Sequence, residues 1–393
     1  MKTVAIAANA MRSRIASFES FVVRYPVIAD FKFLTSAEGR PPTRDTVVVK
    51  LTDHEGNVSW GQSVPSHTWS YETVETVSTT LERYLGPALI GMDAFETEEI
   101  WRVMNRTIAA SFSTGQPICK AGIDLALFDL TGRILNQTAR QRWGRTGNDA
   151  ITLSWTIDPR TIEDVERSVA EARARGFRNF NVKVGSDAAF DVLVCCEIRR
   201  QAPDAFVWVD ANGGYDLATA LTVAPQFADA GIAAFEQPLP ANRLSGYRQL
   251  RRQQALPILM DEGIVTLADL EEFHQLGLLD GVAMKVSRCG GLTESRSIIE
   301  AMQERGLLLF ASGLTDPDLA LAASVQLFSA YDLEYPAALN APQYLRGTIL
   351  LEPVRIEGDQ AWLPSKAGLG VEVDVAALRQ NDLVLHQGID ISQ

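Results

Sequence analysis

The sequence contains few cysteines and histidines and no long apolar run. Of its 393 residues only four are cysteine and four are histidine, and no C-x-x-C pair occurs. A disulfide framework and a thiolate zinc site are therefore excluded. No segment approaches the roughly 18 apolar residues of a membrane span, and Val4 to Ala8 is shorter than a signal-peptide core. We expect a soluble, cytoplasmic protein whose first dozen residues are a loose lead-in.

The sequence also has fewer basic than acidic residues. Thirty-six Lys and Arg residues oppose 49 Asp and Glu residues, which gives a net charge of -13. Such a field repels nucleic acid and anionic membranes, so neither is an expected partner. No G-x-G-x-x-G follows a predicted strand and no G-x-x-x-x-G-K-[ST] occurs, so neither a dinucleotide site nor a P-loop is predicted.

The first third of the chain predicts a mixed α+β unit. Residues 53–57 form a predicted hairpin turn, and helical periodicity is clearest at Ile123, Leu127, Leu130 and Ile134. The predicted strands are Ser17–Arg24 and Thr46–Leu51, and the predicted helices are Tyr71–Leu85, Ala94–Ile108 and Cys119–Leu135.

From Ile151 onward, short apolar runs alternate with amphipathic stretches. This alternation predicts a parallel sheet, and its number of units fits a closed (β/α) barrel better than an open sheet. We assign residues 1–145 to a capping domain, 146–340 to the barrel, and 341–393 to a segment that returns to the cap. The predicted strands are Ile151–Ile157, Phe180–Val184, Phe206–Asp210, Ala233–Glu236, Pro257–Asp261, Val282–Lys285, Leu307–Ala311 and Tyr331–Tyr335.

Five consecutive barrel strands end in a charged residue. These residues are Lys183, Asp210, Glu236, Asp261 and Lys285, each about one βα unit after the last. The carboxyl ends of barrel strands form the rim where barrel enzymes build their sites, so the five charges are expected at one height on that rim.

Three converging carboxylates call for a hard cation, and oxygen ligands with open positions are typical of Mg²⁺. The two lysines flank the carboxylate strands and face each other across whatever the metal holds. A lysine close to Mg²⁺ should have a lowered pKa and could act as a general base. The alternative is that each charge only caps its strand and pairs with a neighbour.

These residues resemble the enolase superfamily, in its muconate lactonizing enzyme subgroup. The segment Lys120 to Asp129 is similar to that family's last cap helix, and Lys285 followed by Gly290-Gly291-Leu292 is similar to that subgroup. The resemblance implies an α/β fold, a modified (β/α)₇β TIM-type barrel with an α+β capping domain. It also implies one Mg²⁺ per subunit, replaceable by Mn²⁺, bound by Asp210, Glu236 and Asp261, with Lys183 and Lys285 as the acid/base pair. The histidines offer no His-x-Asp pair of the mandelate racemase kind.

One position departs from the family pattern. The family shows Lys-x-Lys at the end of the second strand, whereas this chain has Asn181 before Lys183. Because strand side chains alternate, Asn181 should point inward beside Lys183, where an amide cannot lower the pKa of that lysine as an ammonium would. Asn181, Asn212 and Glu262 are expected around the ligands and lysines.

Substrate contacts are predicted from the cap loops and the last strands. A first lid loop should contain Phe31, Lys32 and Phe33, and a second should contain His67 and Trp69. Asp332 and Glu334 on the eighth strand resemble the Asp-x-Asp with which dipeptide epimerases bind an ammonium, or are a structural pattern. Asp316 and Asp318 either contribute to the site or cap the next helix.

The resemblance implies removal of the proton α to a substrate carboxylate through a metal-stabilised enediolate. Two lysines suit racemisation or epimerisation of an amino-acid derivative or dipeptide. Dehydration by β-elimination and cycloisomerisation are the alternatives on this scaffold, and a non-catalytic barrel that binds a carboxylate through metal is the alternative from another class. The expected partner is a small-molecule carboxylate, and we expect a homo-oligomer.

Overall fold

The computed structural model describes residues 12–34, 42–110 and 113–381. The first 11 residues of the predicted lead-in and the end of the predicted C-terminal segment 341–393 lie outside these ranges. The strands are β1 (Ile15–Pro26), β2 (Thr43–Asp53), β3 (Val58–Ser63), β4 (Ala150–Thr152), β5 (Trp155–Ile157), β6 (Phe180–Lys183), β7 (Val207–Asp210), β8 (Phe235–Glu236), β9 (Ile258–Met260), β10 (Gly281–Met284), β11 (Leu308–Ala311), β12 (Ile356–Glu357) and β13 (Gln360–Trp362).

The helices alternate with the strands after β4, as the sequence predicts. A π-helical turn, Leu81–Leu85, follows the first helix of the capping domain, Val74–Thr80. The helices are α1 (Val74–Thr80), α2 (Gly86–Leu89), α3 (Thr97–Thr107), α4 (Pro117–Leu135), α5 (Ala139–Trp143), α6 (Ile162–Ala174), α7 (Ala188–Gln201), α8 (Leu217–Asp229), α9 (Leu244–Gln253), α10 (Leu267–Gln275), α11 (Leu292–Glu304), α12 (Asp318–Ala330), α13 (Ala341–Tyr344) and α14 (Val375–Asn381). None of the helices in the described ranges is long and apolar enough to cross a membrane.

The capping domain is a three-stranded antiparallel sheet, β1-β2-β3, covered by helices. The predicted hairpin is confirmed: the Asp53 carboxylate accepts hydrogen bonds from the backbone amides of Glu55 and Asn57. The backbones of helix α4 and β3 approach each other closely at Gly61 and Gly122. A Cβ added at Gly61 would lie only 2.0 Å from the carbonyl oxygen of Gly122. This contact fixes α4 on the sheet.

The barrel is a parallel sheet in the order β11-β10-β9-β8-β7-β6-β5. Two isolated parallel bridges, Leu153 with Ala337 and Ser312 with Ala338, connect its two edges. We name residues 337–338 the closing segment. The predicted fold, a (β/α) barrel with an α+β cap, is confirmed.

Two predicted strands are wrong in detail. The run from Ile151 to Ile157 divides, since β4 pairs with β13 of the C-terminal segment while β5 belongs to the barrel. The predicted eighth strand, Tyr331–Tyr335, is a turn, because the wholly buried helix α12 continues to Ala330. The closing segment takes its place farther along the chain.

This shift moves Asp332 and Glu334 away from the cleft. Both are exposed, and Asp332 has a positive φ of 51°. The neighbouring Tyr335 stacks on Phe206, at 5.3 Å between ring centres, just before β7 begins. The two acids therefore lie at the end of the barrel where strands start, opposite the predicted site.

The C-terminal segment packs on the cap helix α4. The Arg133 guanidinium on α4 donates to the Glu372 carboxylate and to the carbonyl of Val371. The backbone amide of Leu369 donates to Asp129 on the same helix. The segment thus contacts the cap after its β12-β13 hairpin has paired with β4.

Candidate active site

Five charged side chains lie at the rim where the barrel strands end. The strand registers pair Lys183 with Asp210 and Asp210 with Glu236, so these residues stand at one height. Asp261 and Lys285 each come directly after the last residue of β9 and β10. The sequence spacing thus corresponds to real proximity on the rim.

The three carboxylates form a compact, buried cluster. One oxygen from each of Asp210, Glu236 and Asp261 lies within 4.8 Å of the others. The Glu236 Oε2 atom accepts a hydrogen bond from Trp208 Nε1 at 2.9 Å, whereas its Oε1 atom is buried with no partner among the described residues. An unpaired carboxylate oxygen between two further carboxylates fits a hard divalent cation such as Mg²⁺.

The electrostatics of the carboxylate cluster also favour a bound cation. Burial, reinforced by the neighbouring charges of Asp210 and Asp261, raises the pKa of Glu236 well above its usual value. Lys183, Lys285 and Arg288 donate to Asp210 and Asp261, but no cationic side chain of the described residues donates to Glu236. A metal ion at the cluster would supply a positive charge beside Glu236.

Two lysines contact the outer members of the cluster. Lys183 Nζ donates to Asp210 Oδ2 at 2.5 Å, and Lys285 Nζ donates to Asp261 Oδ2. Burial alone would lower the pKa of Lys183, but the charges of Asp210 and Glu236 outweigh it and hold this pKa above its usual value. The lowered pKa expected of a base therefore depends on a cation that takes up the carboxylate charge.

Sequence reasoning missed Arg288. Its guanidinium donates to Asp261 Oδ1 and to the carbonyl of Ala283, so Asp261 is held from both oxygens. The side chain is almost fully buried. Its place three residues after Lys285, in the loop that leaves the rim, is a signal that could have found it.

Asn212 and Glu262 stand next to the cluster. The Asn212 backbone amide donates to Asp210 Oδ1, and its side chain donates to Glu262 Oε1 at 3.1 Å. Burial and the charge of Asp261 raise the pKa of Glu262 to about 8. These contacts orient Asp210 from the side away from Lys183.

A narrow cleft opens above the lysines. Aromatic residues of the two cap loops cover it: the Phe31 ring centre lies 6.0 Å from Lys183 Nζ, and the Trp69 ring centre lies 4.9 Å from Lys285 Nζ. The lining residues are Phe31, Phe33, Leu34, Arg44, Ser66, Trp69, Asn181, Lys183, Asn212, Lys285, Ser312, Gly313, Leu314, Thr315, Ala338 and Asn340.

Besides Asp332 and Glu334, three further residues predicted to touch substrate are not among those that line the cleft: Lys32, His67 and Asp316. His67 is exposed. Lys32 is partly buried. Desolvation and then the charge of Lys183 lower its pKa. Asp316 accepts from the Ser287 hydroxyl at 3.0 Å and from the Leu314 amide.

Neither acid after β11 caps the next helix through its side chain. Helix α12 begins at Asp318 after Pro317, and no side chain in the described part of the chain caps it. Asp318 instead accepts from the Tyr25 hydroxyl at 2.7 Å and from Thr348 at 2.6 Å. Asp316 and Asp318 therefore fix the loop behind the cleft.

Arg44 and Asn340 line the cleft and were not predicted. The Arg44 guanidinium donates to the carbonyls of Val64, Pro65 and Leu314, and so joins the second cap loop to the loop after β11. Asn340 follows the closing segment, whose position the sequence pattern did not indicate. Both depend on contacts between distant parts of the chain.

Two family models match the chain. Residues 29–144 match the Mandelate racemase / muconate lactonizing enzyme N-terminal domain, and residues 164–377, more than half of the chain, match the enolase C-terminal domain-like family. The chain belongs to the enolase superfamily. Its relatives place it in the muconate lactonizing enzyme subgroup, so the predicted family is confirmed and the protein is an enzyme.

Three relatives illustrate this membership in the enolase superfamily. Muconate cycloisomerase 1 of Rhodococcus opacus is 27% identical over 93% of this chain and 97% of its own. N-succinyl-L-Arg/Lys racemase of Bacillus cereus is 25% identical over 93% of this chain and 97% of its own. The crystal structure of 2-chloromuconate cycloisomerase from Rhodococcus opacus superposes with a TM-score of 0.86 at 25% identity, covering 95% of this chain and 100% of that one.

Proposed function

We propose that this enolase-superfamily enzyme removes the proton α to the carboxylate of a small substrate and returns a proton to the opposite face. The product is the epimer or enantiomer of an amino-acid derivative. The observation that carries the proposal is the arrangement of Lys183 and Lys285, each bonded to a different outer carboxylate of the cluster. An α-carbon held between them would have one amine on each face.

Asp210, Glu236 and Asp261 would hold Mg²⁺ in this proposal. Bound there, Mg²⁺ would stabilise the negative charge that develops on the substrate carboxylate as the α-proton leaves. Lys183 Nζ and Lys285 Nζ take and give the proton on opposite faces, and Arg288 keeps Asp261 oriented. Phe31 and Trp69 cover the lysines and exclude water, which strengthens each charge interaction in the cleft.

Cycloisomerisation is the second candidate, because muconate cycloisomerase 1 is similar over nearly the full length of both chains. In that reaction one lysine moves the proton and the other acts only through its charge. Muconate and its chlorinated derivatives are the substrates to test, and loss of the diene absorbance is the readout.

Proton exchange in D₂O distinguishes the two. The enzyme with Mg²⁺ is incubated with single enantiomers of N-acyl amino acids, dipeptides, proline analogues and acid sugars, and the gain in mass at the α-carbon is measured. Deuterium incorporation with formation of the other isomer supports 1,1-proton transfer. If no compound of this panel exchanges its α-proton and a muconate is turned over, cycloisomerisation replaces 1,1-proton transfer as the proposed reaction.

A further inference from the structure

Gln237 stands directly after a ligand of the proposed metal centre and has an unusual backbone conformation. It follows Glu236 at the end of β8, and its φ of 39° lies in the left-handed region that favours glycine. A residue other than glycine keeps this conformation only where its surroundings hold it. Gln237 is also fully buried, so specific contacts within the barrel must hold it in place.

The backbone of Gln237 joins the strand ends on either side of it. Its amide donates to the carbonyl of Leu259 on β9 at 2.8 Å, and its carbonyl accepts from the amide of Gly213 at 2.7 Å. Gly213 lies three residues after Asp210, in the loop that leaves β7. The conformation of Gln237 thus connects the ends of the three strands that carry the carboxylates.

The side chain of Gln237 reaches the end of β9. Its Oε1 atom accepts from the backbone amide of Asp261 at 2.8 Å and from that of Gly263 at 3.4 Å. Its Nε2 atom donates to the carbonyl of Leu239 at 2.9 Å and to the hydroxyl of Tyr247 at 2.6 Å. Because amide donors face Oε1 and oxygen acceptors face Nε2, the carboxamide has a single orientation.

These contacts fix the backbone of Asp261, whereas Lys285 and Arg288 hold its carboxylate. Mg²⁺ tolerates little deviation from octahedral geometry with ligands at about 2.0–2.1 Å, so the spacing between Glu236 and Asp261 decides how well both can bind it. A neutral carboxamide provides the bridge between them without adding another negative charge beside three buried carboxylates.

We propose that Gln237 is a positioning residue of the metal centre: it sets the separation of Glu236 and Asp261 and thereby the affinity of the site for Mg²⁺. The inference rests on the metal centre of the proposed function. It holds for proton transfer and for cycloisomerisation alike, because it concerns the binding of the metal and not the reaction.

The test replaces Gln237 by a residue of the same length that forms no such hydrogen bonds. Loss of a residue that orients a metal ligand costs about 10–100-fold in metal affinity, so Gln237→Met should raise the Kd for Mg²⁺ by that factor. Calorimetry on the metal-free protein measures this Kd without turnover. The EPR spectrum of bound Mn²⁺, which reports the symmetry of its ligands, should change as well.

Gln326→Met is the matched control. Gln326 is equally buried on α12, and its Nε2 atom donates to the carbonyls of Pro364 and Leu369 in the C-terminal segment. Its replacement also removes buried hydrogen bonds, so it should lower the Tm. The Kd for Mg²⁺ and the Mn²⁺ spectrum should stay as in the wild type, because none of these partners belongs to the rim.

Tyr247→Phe is a milder variant for the same position. It removes the hydroxyl that accepts from Gln237 Nε2 and leaves the contact with Asp261 in place. Since one hydrogen bond is lost, we expect Mg²⁺ to bind about two- to tenfold more weakly. This variant decides the question if Gln237→Met does not fold, and wild-type affinity would then overturn the inference.

A Kd for Mg²⁺ in Gln237→Met that equals that of the wild type overturns the inference and retains the metal centre. An equal loss of affinity in Gln326→Met overturns it as well, since the effect would then be one of general stability. A wild type that does not bind Mg²⁺ rejects the metal centre and the inference together. Weaker binding in Gln237→Met, with no α-proton exchange by the wild type, would retain the role of Gln237 and reject the proposed proton transfer.

Discussion

The indole ring of Trp69 lies over the ammonium of Lys285, with 4.9 Å between the ring centre and Nζ. The ring belongs to a cap loop, and the lysine follows β10 of the barrel, so the two domains meet at a residue that we propose transfers the proton. The second cap loop is joined to the loop after β11 through Arg44. The cap therefore contributes directly to the environment of one lysine.

Replacing Trp69 should affect the two faces of the substrate unequally. A cation–π contact of this kind contributes about 0.5–2 kcal/mol, so Trp69→Leu should reduce exchange on the Lys285 face by about twofold to thirtyfold and leave the Lys183 face nearly unchanged. The rates are measured with each enantiomer in D₂O. Trp362→Leu is the matched control, because Trp362 also stacks on a cation, Arg355, at 4.8 Å. Equal loss on both faces would contradict this role.

Lys183→Ala and Lys285→Ala should each abolish exchange of one enantiomer's α-proton more strongly than that of the other. The reason is that each amine reaches only one face of a carbon held between them. Exchange is followed by mass for both enantiomers, with the exposed Lys366→Ala as control. Identical losses in the two variants would indicate a shared structural role.

Removal of metal should abolish activity, and Asp210→Asn should weaken Mg²⁺ binding by removing one charged ligand. Because a ligand that binds only the folded state raises its stability, Mg²⁺ should raise the Tm of the wild type more than that of this variant. Thermal unfolding over a Mg²⁺ series measures both. Asp204→Asn, at an exposed position, should behave as wild type. Full activity after treatment with EDTA would reject the metal centre.

Glu72 should make the stability of the protein depend on pH. It accepts hydrogen bonds from the amides of Ile118 and Cys119, and burial raises its pKa to about 7. The folded state therefore retains the proton that the unfolded chain releases near its ordinary pKa of about 4.5. Stability is full below that pH and falls by up to about 3 kcal/mol as pH rises to about 7.

Glu72→Gln, which does not titrate, should remove this slope from the free energy of unfolding measured by denaturant at several pH values. The exposed Glu75→Gln should retain it. A slope that is unchanged in Glu72→Gln would assign the dependence to another group.

The five rim charges could be predicted because each stands at the end of a short apolar run that predicts a strand. One βα unit separates consecutive members, and parallel topology brings equal strand ends to one edge. The same reasoning could not find Arg44, because its acceptor Leu314 is 270 residues away in the chain. Contacts of that kind follow from tertiary packing.

The eighth strand shows why a local pattern can mislead. Tyr331 to Tyr335 alternates aromatic or apolar residues with acids, as a strand does, and so predicts the eighth strand. The residues that bridge the two edges of the barrel are instead Ala337 and Ala338. Two alanines carry no periodic signal, so neither the segment nor Asn340 after it was predictable. Asp332 and Glu334 were assigned to substrate for the same reason.

The barrel wall is completed at residues 337–338 by two bridges instead of a continuous ladder. Insertions or deletions there would disrupt few interstrand bonds, while the carboxylates and lysines sit on the uninterrupted strands across the barrel. Asn340 follows this seam directly. New substrate preferences could thus evolve through changes in loop length at the seam, with the proton-transfer machinery inherited intact.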